Sequence, residues 1–294
     1  MYYKLIPHLV KKPWGGDYYP PHDGEPVGEL ILASDMAEYP VQIEVDTRRV
    51  SFRDFWSEYT SAPFPFLLKI LSIAKPLSFQ VHPSDEDVKR LGLQGNGKEE
   101  AWLVLHAKDN AAAYLGVKDI ETFRAKAITG EMTTDLFYRY AMESGDLFLL
   151  SPGLVHGTEG EFLILEAQQP SMHTFRVYDF DRGRELHLDY ALRVIRDMAV
   201  RNYRAQGLLK THNFSLQTHR IENGFLSFES AKIETLTYLG TKATITLNES
   251  MTMELAYGDT ILSLNNNRTQ MSIRPIAKSE NNGFLNNRVI QVRK

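Results

Sequence analysis

The chain has 294 residues, a net charge of −4 from 33 basic and 37 acidic side chains, and no cysteine. The acidic balance excludes a protein that holds nucleic acid through a surplus of Lys and Arg, and the missing thiols exclude disulfides and thiolate metal centres, leaving His, Asp, Glu and amides as metal donors. No basic end followed by an apolar core opens the sequence, and no apolar run approaches the length that spans a bilayer, so the chain reads as soluble, cytoplasmic and without a membrane partner.

In chain order, SFRDFWSEY behind Ser51 reads as a helix, with an N-cap candidate and an early acid. Apolar runs broken by turn residues then predict strands at LLKILSI, PLSFQVH, AWLVLHA, GDLFLLSPG and EFLILEA. Two further helices interrupt them, SDEDVKRLG led by Ser84 and DIETFRAKAITG led by Asp119. The apolar spacing of DYALRVIRDMAVRNY predicts a longer helix over 189–203, bracing two β units. Beyond it FLSFES, IETLTYL, KATITLN, TILSL and VIQVRK read as strands between Asn and Gly turns such as NNN and ENNG. The pattern is mainly β, divided into a larger domain over 1–212 with helical decorations and a smaller β-rich domain over 213–294.

Three places carry chemistry. Gln80 and His82 are two apart in a strand pattern, so the amide and the imidazole share a face. Lys98, Glu99 and Glu100 follow the glycine-rich turn GLQGNGK and deliver a carboxylate to the mouth of the next strand. GDLFLLSPGLVH combines a turn, a short strand and a Pro-Gly turn that sets where His156 lands. Two histidines, a carboxylate and an amide make an N/O donor set that suits a borderline divalent ion.

The order Gln-x-His, Lys-x-Glu and Gly-x-x-His resembles the metal-binding arrangement of the type I mannose-6-phosphate isomerases, in particular their shorter bacterial branch. KPWGG at 12–16 is similar to that family's Trp-Gly-Gly, VGELILAS at 27–34 to its Gly-Glu segment, and TFRVYDFDRGR at 174–184 to its arginine-bearing strand. The resemblance implies a cupin core, a jelly-roll β-barrel, followed by the smaller β domain. It implies Gln80, His82, Glu100 and His156 as ligands of one zinc ion per chain, Arg176 and Lys98 as catalytic and substrate-binding residues, and Ser78 as a phosphate contact. The substrate it implies is a hexose phosphate, converted by a monomer or homodimer from aldose to ketose through an enediol(ate). Such a reaction needs a base, a proton donor to oxygen and positive charge beside the developing oxyanion.

Ile31 stands where the family shows tryptophan after Gly-Glu, Pro152 is shifted from the usual cupin Pro-x-Gly order, and no counterpart is evident for the basic residue that longer members carry after the arginine strand. His173 draws notice because it precedes the Arg176 strand, and Asp179, Asp181 and Arg182 are placed to form an ion-pair network around Arg176. Two other classes use similar residues: an iron oxygenase, which shares two His and a carboxylate, and a sugar-phosphate-binding cupin without turnover.

Overall fold

The computed structural model of the chain describes residues 1–19, 22–221, 225–228, 233–239, 242–247, 251–264, 269–275 and 288–294. The first elements are β1 (Tyr2–Ile6), β2 (His8–Lys11), β3 (Val27–Ala33), β4 (Gln42–Val45), β5 (Arg48–Ser51), α1 (Phe52–Tyr59) and β6 (Leu67–Ile73). They are followed by β7 (Phe79–Val81), α2 (Asp85–Leu91), β8 (Glu100–Ala107), β9 (Ala112–Val117), α3 (Ile120–Thr129), β10 (Phe137–Ala141) and β11 (Leu147–Leu150). Next come β12 (His156–Glu159), β13 (Phe162–Gln168), β14 (Phe175–Tyr178), α4 (Leu188–Val194), β15 (Leu208–Lys210), β16 (Ser215–Arg220), β17 (Phe225–Phe228) and β18 (Glu234–Leu239). The last strands are β19 (Lys242–Leu247), β20 (Met251–Ala256), β21 (Thr260–Ser263), β22 (Thr269–Pro275) and β23 (Arg288–Arg293).

The strands fall where the apolar runs predicted them, and three helices start at the predicted caps. Ser51, Ser84 and Asp119 each accept a hydrogen bond from the backbone N–H three residues on. At α2 the exchange is reciprocal, with Asp87 returning a bond to the Ser84 N–H. The NNN and ENNG turns lie outside the described residues.

The helix expected over 189–203 is shorter: α4 stops at Val194, and Ile195 turns the backbone to φ −58 and ψ 138. The arginine that follows is drawn out of helical register by three bonds. Arg196 N–H donates to Gly153 O, and its guanidinium reaches Pro152 O at 3.2 Å and Asp87 at 2.7 Å. Met198 and Val200, spaced by two, then pack against the core in place of a further helical turn.

The chain forms two compact units: residues 1–8, 30–69 and 204–294 in one, 9–29 and 70–203 in the other. The last crossing, at Arg204, lies near the predicted division at 212 and 213; the three earlier crossings leave no signal in the sequence. In the first unit an eight-stranded sheet runs β15-β16-β23-β18-β21-β1-β4-β5, beside a four-stranded sheet β17-β22-β19-β20. In the second, a five-stranded sheet β10-β9-β12-β7-β14 packs face to face with the neighbouring strands β11-β8-β13. Trp102, Val104, Phe148 and Ile164 from one sheet meet Ala113 and Leu115 from the other, and Leu77 and Leu154 just before its strands, in a single buried cluster. The outer face of the five-stranded sheet is covered by α3 and α4 through Phe79, Phe123, Phe137, Phe175, Ala191 and Val194. Phe79 stacks on Phe137 with centroids 4.0 Å apart. With Phe79 and Val81 committed outward, the alternation of β7 sends Ser78, Gln80 and His82 into the barrel.

Candidate metal centre

His156 on β12 lies directly opposite Gln80 on β7, and Gln80 lies directly opposite Arg176 on β14. Residues opposed across antiparallel strands share a face, so His156, Gln80 and Arg176 form one row on the barrel interior. The second sheet contributes Lys98 and Glu100, two apart at the entry to β8, both buried, while the alternation puts Glu99 on the other side of the chain.

These segments bring His82, Glu100 and His156 together, with one donor atom of each within 4.8 Å of the others. All three are at most 2 % exposed. His82 Nδ1 donates to the carbonyl of His173 at 2.8 Å, and His156 Nδ1 donates to that of Leu154 at 3.0 Å. With their protons so placed, both Nε2 atoms present lone pairs to Glu100 Oε2, at 3.3 and 3.6 Å. Burial lowers the pKa of both imidazoles, that of His156 to about 3, which keeps them in the neutral ligand form. Burial alone would raise Glu100; the Lys98 ammonium against it outweighs that and holds the carboxyl well below its ordinary range.

Lys98 Nζ contacts Glu100 Oε1 at 2.5 Å and His82 Nε2 at 3.2 Å. Despite that close charge contact, neither oxygen of Glu100 accepts a well-directed hydrogen bond. Two neutral imidazole nitrogens and a carboxylate buried in one cluster form a donor set that a divalent ion would complete. The three side chains therefore fit a divalent ion with mixed N/O preference.

Gln80 enters this cluster differently from the expectation of a simple ligand. Its Nε2 donates to His156 Nε2 at 3.2 Å, and its Oε1 accepts from Ser78 Oγ at 3.3 Å. The amide as placed turns its nitrogen to the cluster; ligation through oxygen requires it to rotate by half a turn. Ser78 is buried, with its hydroxyl given to Gln80.

Arg176 donates from Nε to Glu185 O at 3.0 Å, and its guanidinium pKa is lowered by burial and then by the charge of Arg184. The ion-pair network beside it is built on Asp179, as expected, but with Arg184 in place of Asp181. Asp179 takes Arg182 at 2.7 Å and Arg184 Nε at 2.7 Å. Asp181 has the positive φ of a turn residue, 55°, which leaves Arg184 to reach back across the turn.

Supporting residues were missed in the sequence. Trp102 stands edge-on to His156, centroids 5.5 Å apart, and donates its indole N–H to Glu166 at 2.8 Å. Glu166, a charge set between apolar residues in EFLILEA, was the available signal. Gln169 accepts from Glu99 N–H and donates to Asp85, which also accepts from Gly97 N–H at 2.7 Å. This web fixes the segment that carries Lys98 and Glu100.

Two facing antiparallel sheets with a buried His-Glu-His cluster define a cupin-type barrel with residues that could hold a metal ion. Residues 34–115 match the family model for the type I phosphomannose isomerase catalytic domain. A "probable mannose-6-phosphate isomerase" of Bacillus subtilis is 38% identical over 141 residues, 45% of this chain and 44% of that protein. A mannose-6-phosphate isomerase of Streptococcus mutans is 33% identical over 162 residues, 52% of this chain and 50% of that protein. The chain thus matches about half the length of these curated relatives. In fold the likeness is complete: the crystal structure of the Bacillus subtilis mannose 6-phosphate isomerase superposes with a TM-score of 0.83 at 21% identity, over 100% of this chain and 99% of that one. The chain is thus similar to the type I phosphomannose isomerases over residues 34–115 and shares the fold of the solved mannose 6-phosphate isomerase.

Proposed function

We propose that the protein is a zinc-dependent aldose-ketose isomerase that interconverts mannose 6-phosphate and fructose 6-phosphate in the cytoplasm. The observation that carries this reading is the buried cluster of His82, Glu100 and His156 with Lys98 bonded into it, on a chain similar over about half its length to proteins named for that reaction. His82, Glu100 and His156 hold the ion, and Gln80 completes the set once its amide oxygen turns inward. A bound divalent ion would supply Lewis acidity toward the sugar oxygens. The remaining chemistry belongs to the chain. The open-chain sugar is held with its first two carbons beside Lys98, and the proton moving between them is handled by groups on that side, Lys98 and Arg176 sharing the work. Arg176, on the same interior row as Gln80, offers paired N–H donors to a phosphate or an enediolate. Ser78 lies on the same face, as a further phosphate contact. Burial of the cluster keeps water from the reactive intermediate.

The test is a coupled assay of mannose 6-phosphate conversion on purified protein, with zinc and after chelation, alongside oxygen uptake. Zinc-dependent formation of fructose 6-phosphate is expected. Oxygen consumption with iron, or binding of the hexose phosphate without conversion in metal-replete protein, overturns the assignment.

A further inference from the structure

The catalytic reading above leaves His173 without a task, yet it ties together two segments that bear the site. Its backbone carbonyl accepts the Nδ1 proton of His82 at 2.8 Å. Its own imidazole Nε2 bonds to the carbonyl of Gln94 at 2.7 Å. Gln94 belongs to the turn that leads, through Gly97, into Lys98 and Glu100. A closed circuit results: His82 to the 173 backbone, the 173 imidazole to the 94 backbone, and from there along the chain to Lys98, whose Nζ returns to His82 Nε2 at 3.2 Å.

A carbonyl that fixes a ligand's tautomer serves only if the carbonyl itself is held. One tie to the same turn bypasses the imidazole: Ser171 Oγ donates to Asn96 O and accepts from His173 N–H. The imidazole bond is a second, separate tie, placed on the residue whose carbonyl touches the ligand. We propose that His173 is a positioning residue for the metal centre: by anchoring on Gln94, its imidazole holds the 173 carbonyl against His82 and sets the direction in which His82 Nε2 points. This rests on the reading that His82, Glu100 and His156 bind a divalent ion.

The experiment compares wild type with His173→Phe, which keeps a ring and loses the donor, and His173→Gln, which keeps a donor of similar reach. Metal-free protein is titrated with cobalt(II) chloride while its visible absorption is recorded, and thermal unfolding is followed in parallel. His173→Phe is expected to weaken cobalt binding by about 10-fold, the lower end for outer-shell partners of metal ligands, and to alter the cobalt band shape. His173→Gln is expected to restore both. Wild-type affinity and an unchanged spectrum in His173→Phe overturn the proposal. Equal weakening in both variants, in step with lost thermal stability, overturns it too, since that marks a packing role. If wild-type protein binds no cobalt, the metal reading falls and takes this inference with it, an outcome separated from the others by the wild-type titration alone.

Discussion

Both imidazoles of the cluster direct their Nδ1 proton to a backbone carbonyl, and burial lowers their pKa from the ordinary 6.5. The sign of the acid response follows. Below pH 6.5 the unfolded chain takes up protons on these histidines that the folded chain refuses, down to about 3 for His156, so stability falls as pH falls through that window. Glu100, held below its ordinary 4.5, adds a loss of the same sign at lower pH. Urea unfolding of metal-free protein from pH 7 to 4 is expected to show this slope. His156→Gln should flatten it by at most about 1.4 kcal/mol per pH unit, the limit for one group; an unaltered slope would show that His156 is charged in the folded protein. His82→Ala and His156→Ala are expected to abolish both bound zinc and turnover. Arg176→Ala is expected to keep the zinc and lower kcat by about 100-fold or more, the loss of roughly 3 kcal/mol of transition-state stabilisation; metal analysis with steady-state kinetics separates the cases. At this scale much was legible, because the period of two along a strand puts Gln80 with His82 whatever the rest of the fold does. The orienting partners were not, because the carbonyls of Leu154 and His173 are backbone atoms that any residue supplies.

Among the elements, the turn between α2 and β8 does most to assemble the site. Gly97 passes so close to the end of β7 that a Cβ there would lie 2.5 Å from Ser84 C and 2.6 Å from Asp85 N. Those are backbone atoms at a helix cap and cannot yield as a side chain does. Gly97→Ala is therefore expected to destabilise the protein by about 3 kcal/mol, the upper part of the usual overpacking range, and to reduce zinc content as the Lys98 segment shifts. Thermal unfolding with metal analysis checks both, and a variant with native stability and native zinc would show that the turn relaxes freely. Gly153 acts similarly for His156: its φ of +93 and the close approach of Val194 O and Arg196 leave no room for a side chain. The Pro-Gly turn was readable, and so were the helix caps, since both are local. The end of α4 was not, because residues 195–200 have the apolar spacing of a helix and are pulled straight by Gly153 and Asp87, residues distant in sequence.

For the molecule as a whole, the composition and strand pattern gave the class of fold, whereas the path of the chain between its two units was hidden. Strand order in a sheet depends on long-range pairing that no local signal encodes. β1 pairs with β21, Tyr2 opposite Ser263, and with β4, Leu5 opposite Ile43. A fragment ending at residue 212 therefore removes β21, one of the two partners of β1, and leaves β15 without β16, which it meets through Leu209 and Leu216. Such a fragment is expected to expose unpaired strand edges and to aggregate. Gel filtration and limited proteolysis report this, with cleavage within 1–8 and 30–69 expected first. A monodisperse, protease-resistant fragment would show that the first 212 residues suffice.

The same pairing has a consequence in time. A ribosome releases the chain from its amino terminus, so every residue of the unit that carries the metal-ligand cluster, ending at Tyr203, has been synthesised before any strand from β16 onward exists. That unit is free to close while translation continues. β1 finds β4 early, but its other edge waits for β21, made far later, and the loop-closure entropy of that pairing is met only then. That edge of β1 is in this sense among the last parts of the sheet to be paired. In the interval its exposed edge is where a chaperone, or a second nascent chain, would find the protein.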